Sequence, residues 1–178
     1  MNFEKELETF ETPEVKAACQ KVLLSVNPKF YQVPASSTGK YHPEYALGEG
    51  GLYRHTQAAV GIANALLVLE MFQEKFDATN RDYIRMALIL HDTCKSGKDW
   101  DNKYTRFDHP VQAAKFVKDI LQNEIGDTVS ELISSHMGQW NTCKRDRTVL
   151  PKPETDGQKF VHMCDYLASR KFLEYKFD

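Results

Sequence analysis

The sequence predicts an all-α fold, a single-domain helical bundle of about six helices. Three observations predict it. Apolar residues return at three- and four-residue spacing in successive stretches. Several of those stretches open on helix-start signals such as Thr12-Pro13-Glu14 and Asp108-His109-Pro110. No run shows the convincing period-two alternation of a half-buried strand. The 178 residues suffice for one core of ordinary size, and a second independent domain is not expected. Residues 1–50 read as an N-terminal helix and long loop packing on the same domain, and residues 51–178 as its core.

At Thr12 a capping hydroxyl, a proline at the first helical position and an acid in the first turn start a helix that runs to about Ser25. It buries Val15, Ala18, Cys19, Val22 and Leu23. Residues 27–51 hold Pro28, Pro34, Pro43, Ser36-Ser37 and four of the nine glycines, and read as one long loop. Loops of that length inside a compact domain are often functional.

Helical spacing returns after Leu52 at Ala59, Ile62, Ala63, Leu66, Leu67 and Met71. Gly50-Gly51 forms the hinge before it, so His55 falls in the first turn or two. A third helix spans about Asn80 to Asp92. It is apolar almost all round after Met86, as a central buried helix is, and its end carries His91 and Asp92. Asp108-His109-Pro110 opens a helix with Val111, Ala114, Phe116, Val117, Ile120 and Leu121 following, and His109 lies at its mouth. The stretch Asp127 to Met137 begins with a cap and stops at Gly138, placing His136 at its C-terminal end. The last helix, about Glu154 to Tyr175, sets His162 and Asp165 one turn apart.

Lys+Arg 23 against Asp+Glu 25 gives a net charge of -2, without the basic excess that long nucleic acid demands. The four cysteines form no Cys-x-x-Cys pair and follow no signal peptide, which points to the cytoplasm. No apolar stretch approaches the ~20 residues of a membrane span.

The chemistry concentrates in His55, His91, Asp92, His109, His136 and Asp165. A lone histidine on an apolar helix is more often a core or surface residue than a ligand. Four of six at or near helix ends, together with two aspartates, point instead to a metal site. Nitrogen and oxygen donors suit Fe, Mn, Ni, Co or Zn better than Mg or Ca. Six candidate ligands exceed the needs of a structural zinc site and suffice for two ions, which the two oxygens of Asp92 can bridge. Two ions sharing a hydroxide can attack phosphorus, with Asp92 at the catalytic centre and Lys95 stabilising charge on phosphate.

Candidate substrate contacts are Lys95, Arg54, Trp140 and Lys152. Trp140 reads either as a base-stacking platform or as a packed loop aromatic. Lys152 joins Lys144, Arg145 and Arg147 in a cluster that is either a solvated face or a phosphate-binding rim. His162 reads as packing or support for a ligand, and His42 as either substrate-facing or solvated. Cys94 and Cys164 read as small buried residues.

Gly50-Gly51-Leu52-Tyr53-Arg54-His55-Thr56, followed by Leu90-His91-Asp92-Thr93-Cys94-Lys95 and then Asp165, resembles the HD-domain metal-dependent phosphohydrolase superfamily over about Gly50 to Arg170. His109 and His136 look like the two added histidines of its dinuclear branch. The resemblance implies that His55, His91 and Asp165 hold one divalent ion and His109 and His136 a second, with Asp92 between them. The pattern is most similar to the HD domain of bacterial 3′-5′ exoribonucleases. These share Gly-Gly-Leu-x-x-His-Thr and the segment Lys152-Pro153-Glu154-Thr155 through His162 and Asp165. Their preceding OB domain has no counterpart here, so the expected substrate is a nucleotide or short oligonucleotide rather than long RNA. A single-ion nucleotide phosphatase or triphosphohydrolase, and a non-catalytic nucleotide sensor, are the alternatives.

Overall fold

A computed structural model describes residues 2–36, 38–40, 42–102 and 104–177. Its elements run α1 (Glu4–Glu8), α2 (Pro13–Leu23), α3 (Gly51–Leu67), α4 (Glu70–Gln73), α5 (Ala78–Leu90), α6 (His109–Leu121), α7 (Glu124–Ser134), β1 (Thr142–Cys143), β2 (Asp146–Val149) and α8 (Asp156–Ala168). The fold is all-α. Six of the eight helices, α2, α3, α5, α6, α7 and α8, are the ones the apolar spacing predicts. The short α1 and α4 and the antiparallel hairpin β1–β2 are additions to that expectation.

Helix α5 is the centre of the bundle, packed against α2, α3, α7 and α8. Its second half, Met86 to Leu90, is buried on every side, because a helix enclosed by neighbours has no polar face to keep wet. Asp77 caps its start by accepting the amide of Asn80. Helix α3 packs on α5 and α8, and α6 and α7 form a helical hairpin. Phe3, Val15, Cys19, Val22 and Phe30 are buried in the same core as these helices.

A buried polar network ties the leading segment to α5. Asp82 is fully buried and accepts the amides of Glu11 at 2.8 Å and Thr12 at 2.6 Å. Its other oxygen accepts from Arg85 at 2.6 Å, and Arg85 and Arg81 both reach Glu11. Asp82 thus holds the two residues that lead into α2 from across the core, and the hydroxyl of Thr12 makes no cap bond.

Several boundaries differ from the sequence expectation for local reasons. Helix α7 starts at Glu124, not near Asp127, because the Asn123 side chain accepts the amide of Gly126, while Asp127 pairs with Lys118. Helix α8 stops at Ala168, short of Tyr175. The tail beyond it lies across α3, where Gly61 leaves room for Tyr175: a Cβ there would stand 1.9 Å from the phenol oxygen. The long loop holds two 3-10 turns, Pro28–Tyr31 and Glu44–Ala46. It closes on α3 at Gly51, whose missing side chain admits the carbonyl of Ala46; a Cβ would lie 2.3 Å from that oxygen. No helix among the described residues is long and apolar enough to cross a membrane.

Candidate metal centre

Five segments converge on one point inside the bundle. The first turns of α3 carry His55, and the end of α5 passes into a turn bearing His91 and Asp92. His109 is the first residue of α6, His136 lies in the turn after α7, and Asp165 is in the last turn of α8. The four histidines and Asp92 are buried at 2% exposure or less. The turn after Asp92 is anchored by the Trp100 indole, which donates to the Thr93 carbonyl at 3.0 Å.

Three of the histidines are oriented by the same device. Each bends Nδ1 back onto the carbonyl three residues earlier: His91 to Leu88 at 2.7 Å, His109 to Arg106 at 2.6 Å, and His136 to Ile133 at 2.8 Å. A carbonyl only accepts, so Nδ1 carries a proton and Nε2 is the ring nitrogen left facing the interior. This is the usual outer hydrogen bond of a metal-bound imidazole. His55 instead places Nε2 2.9 Å from Asp165 Oδ1.

The interior atoms form overlapping groups. His91 Nε2 lies 3.4 Å from both Asp92 Oδ2 and Asp165 Oδ1. Asp92 Oδ1 lies 3.0 Å from His109 Nε2 and 3.8 Å from His136 Nε2. Three triads have ligand atoms within 4.8 Å of one another: His55, His91 and Asp92; His91, His136 and Asp165; Asp92, His109 and His136. His91 Nε2 and Asp92 Oδ1 are buried without a hydrogen-bond partner. Buried orphan atoms are costly, and a divalent ion coordinated by them removes that cost. The residues therefore fit divalent metal.

The electrostatics agree with that fit. Burial and the neighbouring rings of His91 and His109 push His136 down to about 3, so it stays neutral and ready to donate a lone pair. Burial also opposes a charge on His91, but Asp92 and Asp165 outweigh it and raise His91 to about 10. Burial disfavours the Asp92 anion, yet Lys95 and His91 hold it well below the usual carboxylate range. Asp165 is held low in the same way, chiefly by His91 against the penalty of burial. The Lys95 ammonium, one turn past Asp92, pairs with Asp92 Oδ2.

A cavity of about 510 Å³ opens over the cluster. Of the residues expected at a substrate site, Lys95 and Trp140 line it, whereas Arg54 and Lys152 do not. Arg54 neighbours His55 in sequence, but adjacent helical residues diverge by about 100°. Its guanidinium donates to the carbonyls of Tyr45 at 2.6 Å and Leu47 at 2.9 Å, pinning the long loop. Lys152 is exposed on the segment leading to α8.

His42 faces the cavity beside His55, their ring centroids 5.4 Å apart, and burial pushes it down to about 3. His162 braces the turn that carries His136: its Nδ1 donates to the His136 carbonyl at 2.7 Å. Gly138 makes this possible, since a Cβ there would sit 2.2 Å from the His162 ring, and its φ of +58° suits glycine. Cys94 is a buried thiol raised by burial to about 11, and burial raises Cys164 further, so neither offers a ready thiolate. Tyr166, Ser169 and Arg170 also line the cavity, and sequence reasoning missed them.

No curated protein and no solved structure matches the chain. Residues 52–170, which include every candidate ligand of the cluster, match the HD domain, and the chain belongs to that family of metal-dependent phosphohydrolases.

Proposed function

We propose that the protein hydrolyses a phosphoester of a nucleotide or short oligonucleotide at a centre of two divalent metal ions. The observation that carries this reading is the division of Asp92. Oδ1 faces His109 and His136, while Oδ2 faces His91 and Lys95. A carboxylate so placed suits a bridge between an ion held by His55, His91 and Asp165 and another held by His109 and His136. Divalent ions of the Fe, Mn, Ni, Co or Zn type would supply an activated water and neutralise charge on phosphorus.

The chain's own residues do the rest. The Nδ1 tethers of His91, His109 and His136 fix the direction of each ring before any ligand arrives. Lys95 lines the cavity beside Asp92, where its ammonium can hold a non-bridging phosphate oxygen as charge builds. Trp140 is 43% exposed at the cavity wall, a surface against which a base can stack. The cavity is of a size for a nucleotide rather than a polymer, which matches the net charge of -2. The likeness of the Gly50 to Thr56 and Lys152 to Asp165 motifs to bacterial 3′-5′ exoribonucleases favours a phosphodiester. The free cysteines suit a cytoplasmic setting.

The test is elemental analysis of the purified protein, followed by Mn-supplemented assays of phosphodiesters, nucleoside monophosphates and nucleoside triphosphates. Bound divalent metal with hydrolysis of at least one class is expected. Metal-independent hydrolysis, or a metal-loaded protein that turns over none of them, would sink the proposal.

A further inference from the structure

The cavity wall holds, besides the candidate ligands, a cation that the proposed hydrolytic centre does not use. Arg170 follows α8 by two residues and lines the cavity. Its Nε and Nη2 both donate to Ser169 Oγ, at 3.1 and 2.8 Å. The guanidinium lies 4.5 Å from the Tyr166 ring centroid and 5.9 Å from that of Trp140. Tyr166 and Trp140 are themselves stacked, with centroids 5.4 Å apart and planes 20° from parallel. Among the described residues Arg170 forms no ion pair with a carboxylate, whereas the other cavity cation, Lys95, is neutralised by Asp92.

We propose that Arg170 is an anion-binding specificity residue that grips a second phosphate of the substrate, beyond the one being hydrolysed. The proposal rests on the phosphoester reading above and narrows its substrate class to nucleotides carrying two or more phosphates. Stacking on Tyr166 and the bonds to Ser169 fix the guanidinium plane, so ordering it costs little when the ligand binds. The remaining N–H groups form a fork of the shape that phosphate oxygens accept. A lone phosphate at the metal cluster needs no such partner. A nucleotide with an adjacent phosphate brings a further negative charge into a cavity already holding Asp92 and Asp165, and Arg170 is the cation free to meet it. Trp140, continuous with the same stack, then receives the base or ribose.

The experiment compares wild type, Arg170→Gln and Arg170→Lys as Mn-loaded full chains on two substrates. Bis-p-nitrophenyl phosphate has one phosphorus; a 5′-phosphorylated diadenylate carries a second. The ratio of kcat/KM for diadenylate over the single-phosphate ester should fall about 10- to 100-fold in Arg170→Gln, the range expected for losing a charge-assisted hydrogen bond. Arg170→Lys should recover part of it, through KM. An unchanged ratio overturns the proposal, including the case where both activities fall together because the residue is merely structural. If wild type hydrolyses neither ester, the phosphodiester form of the reading fails, and binding decides the role of Arg170 alone. Quenching of Trp140, the exposed one of the two tryptophans, is then titrated with diadenylate and with adenosine. Weaker binding of diadenylate but not of adenosine in Arg170→Gln supports the anion site; equal binding by wild type and variant refutes it.

Discussion

His109 Nε2 and His136 Nε2 stand 3.2 Å apart, and each ring already donates its Nδ1–H to a backbone carbonyl. Two neutral imidazoles in that tautomer face each other lone pair to lone pair, which repels unless a cation stands between them. The proposed second ion takes that place. His109→Ala and His136→Ala should therefore each lower bound metal from two ions to one per chain, whereas His55→Ala should deplete the other ion. Elemental analysis against protein concentration reads this directly, and an unchanged metal content in both His109 and His136 variants rules out the two-ion arrangement.

Asp92 and Lys95 form one ion pair but have different expected roles. Asp92→Ala should abolish metal loading and turnover together. Lys95→Ala should retain metal and lower kcat about 100-fold, the usual effect of removing one group that stabilises transition-state charge. Loss of metal in Lys95→Ala would mean that the lysine supports the carboxylate rather than the substrate.

Metal uptake should release protons and tighten with rising pH. In the metal-free protein Asp92 and Asp165 overcome burial and raise His91 to about 10, so at neutral pH it carries a proton that a bound ion must displace. The same charged His91 stabilises the metal-free fold fully below its ordinary value of 6.5, and that contribution is lost as pH rises through about 10. Calorimetric titration with Mn²⁺ in buffers of different ionisation enthalpy measures the released protons. A heat independent of buffer would contradict the charged state of His91.

Asp82→Ala should destabilise the fold by about 3 kcal/mol, because it takes from the buried Arg85 guanidinium its nearer carboxylate and leaves only the exposed Glu11 as counter-charge. It also removes the acceptor of two backbone amides. Urea unfolding measures the loss. Metal stoichiometry should stay at the wild-type value in the folded fraction, since Asp82 is absent from the ligand triads.

Gly138→Ala should damage the centre without touching a ligand. The added methyl group would meet the His162 ring and is strained at a φ of +58°. His162 would lose its bond to the His136 carbonyl. Lower metal affinity with an unchanged far-ultraviolet circular dichroism spectrum is the expected outcome; wild-type affinity would show that His136 does not depend on this turn.

The long helices and the six candidate ligands were legible in the sequence because both depend on local signals: apolar spacing, capping residues and histidines beside helix ends. What escaped was set at a distance. The residues leading into α2 are held by Asp82, 70 or more residues away, and the Thr12 hydroxyl makes no cap bond of its own. The strands of the hairpin have only two and four residues, too few for alternation to register. Arg54 looked useful from its adjacency to His55, yet the helix turns it toward loop carbonyls. Tyr166 and Arg170 gave no motif of their own, and only the meeting of α8 with the turn after α7 puts them beside Trp140.

Helix α8 presents Asp165 to the ligand cluster and, at the very next position, Tyr166 to the aromatic wall. Consecutive helical residues leave the axis about 100° apart, so reaction and recognition are separated by angle rather than by distance along the chain. For a diverging lineage this makes position 166 an inexpensive place to vary: a new side chain there can change what the cavity admits while Asp165 keeps its place in the cluster. A one-residue insertion earlier in the helix would have the opposite effect, rotating both faces at once and erasing substrate choice and hydrolysis in a single event.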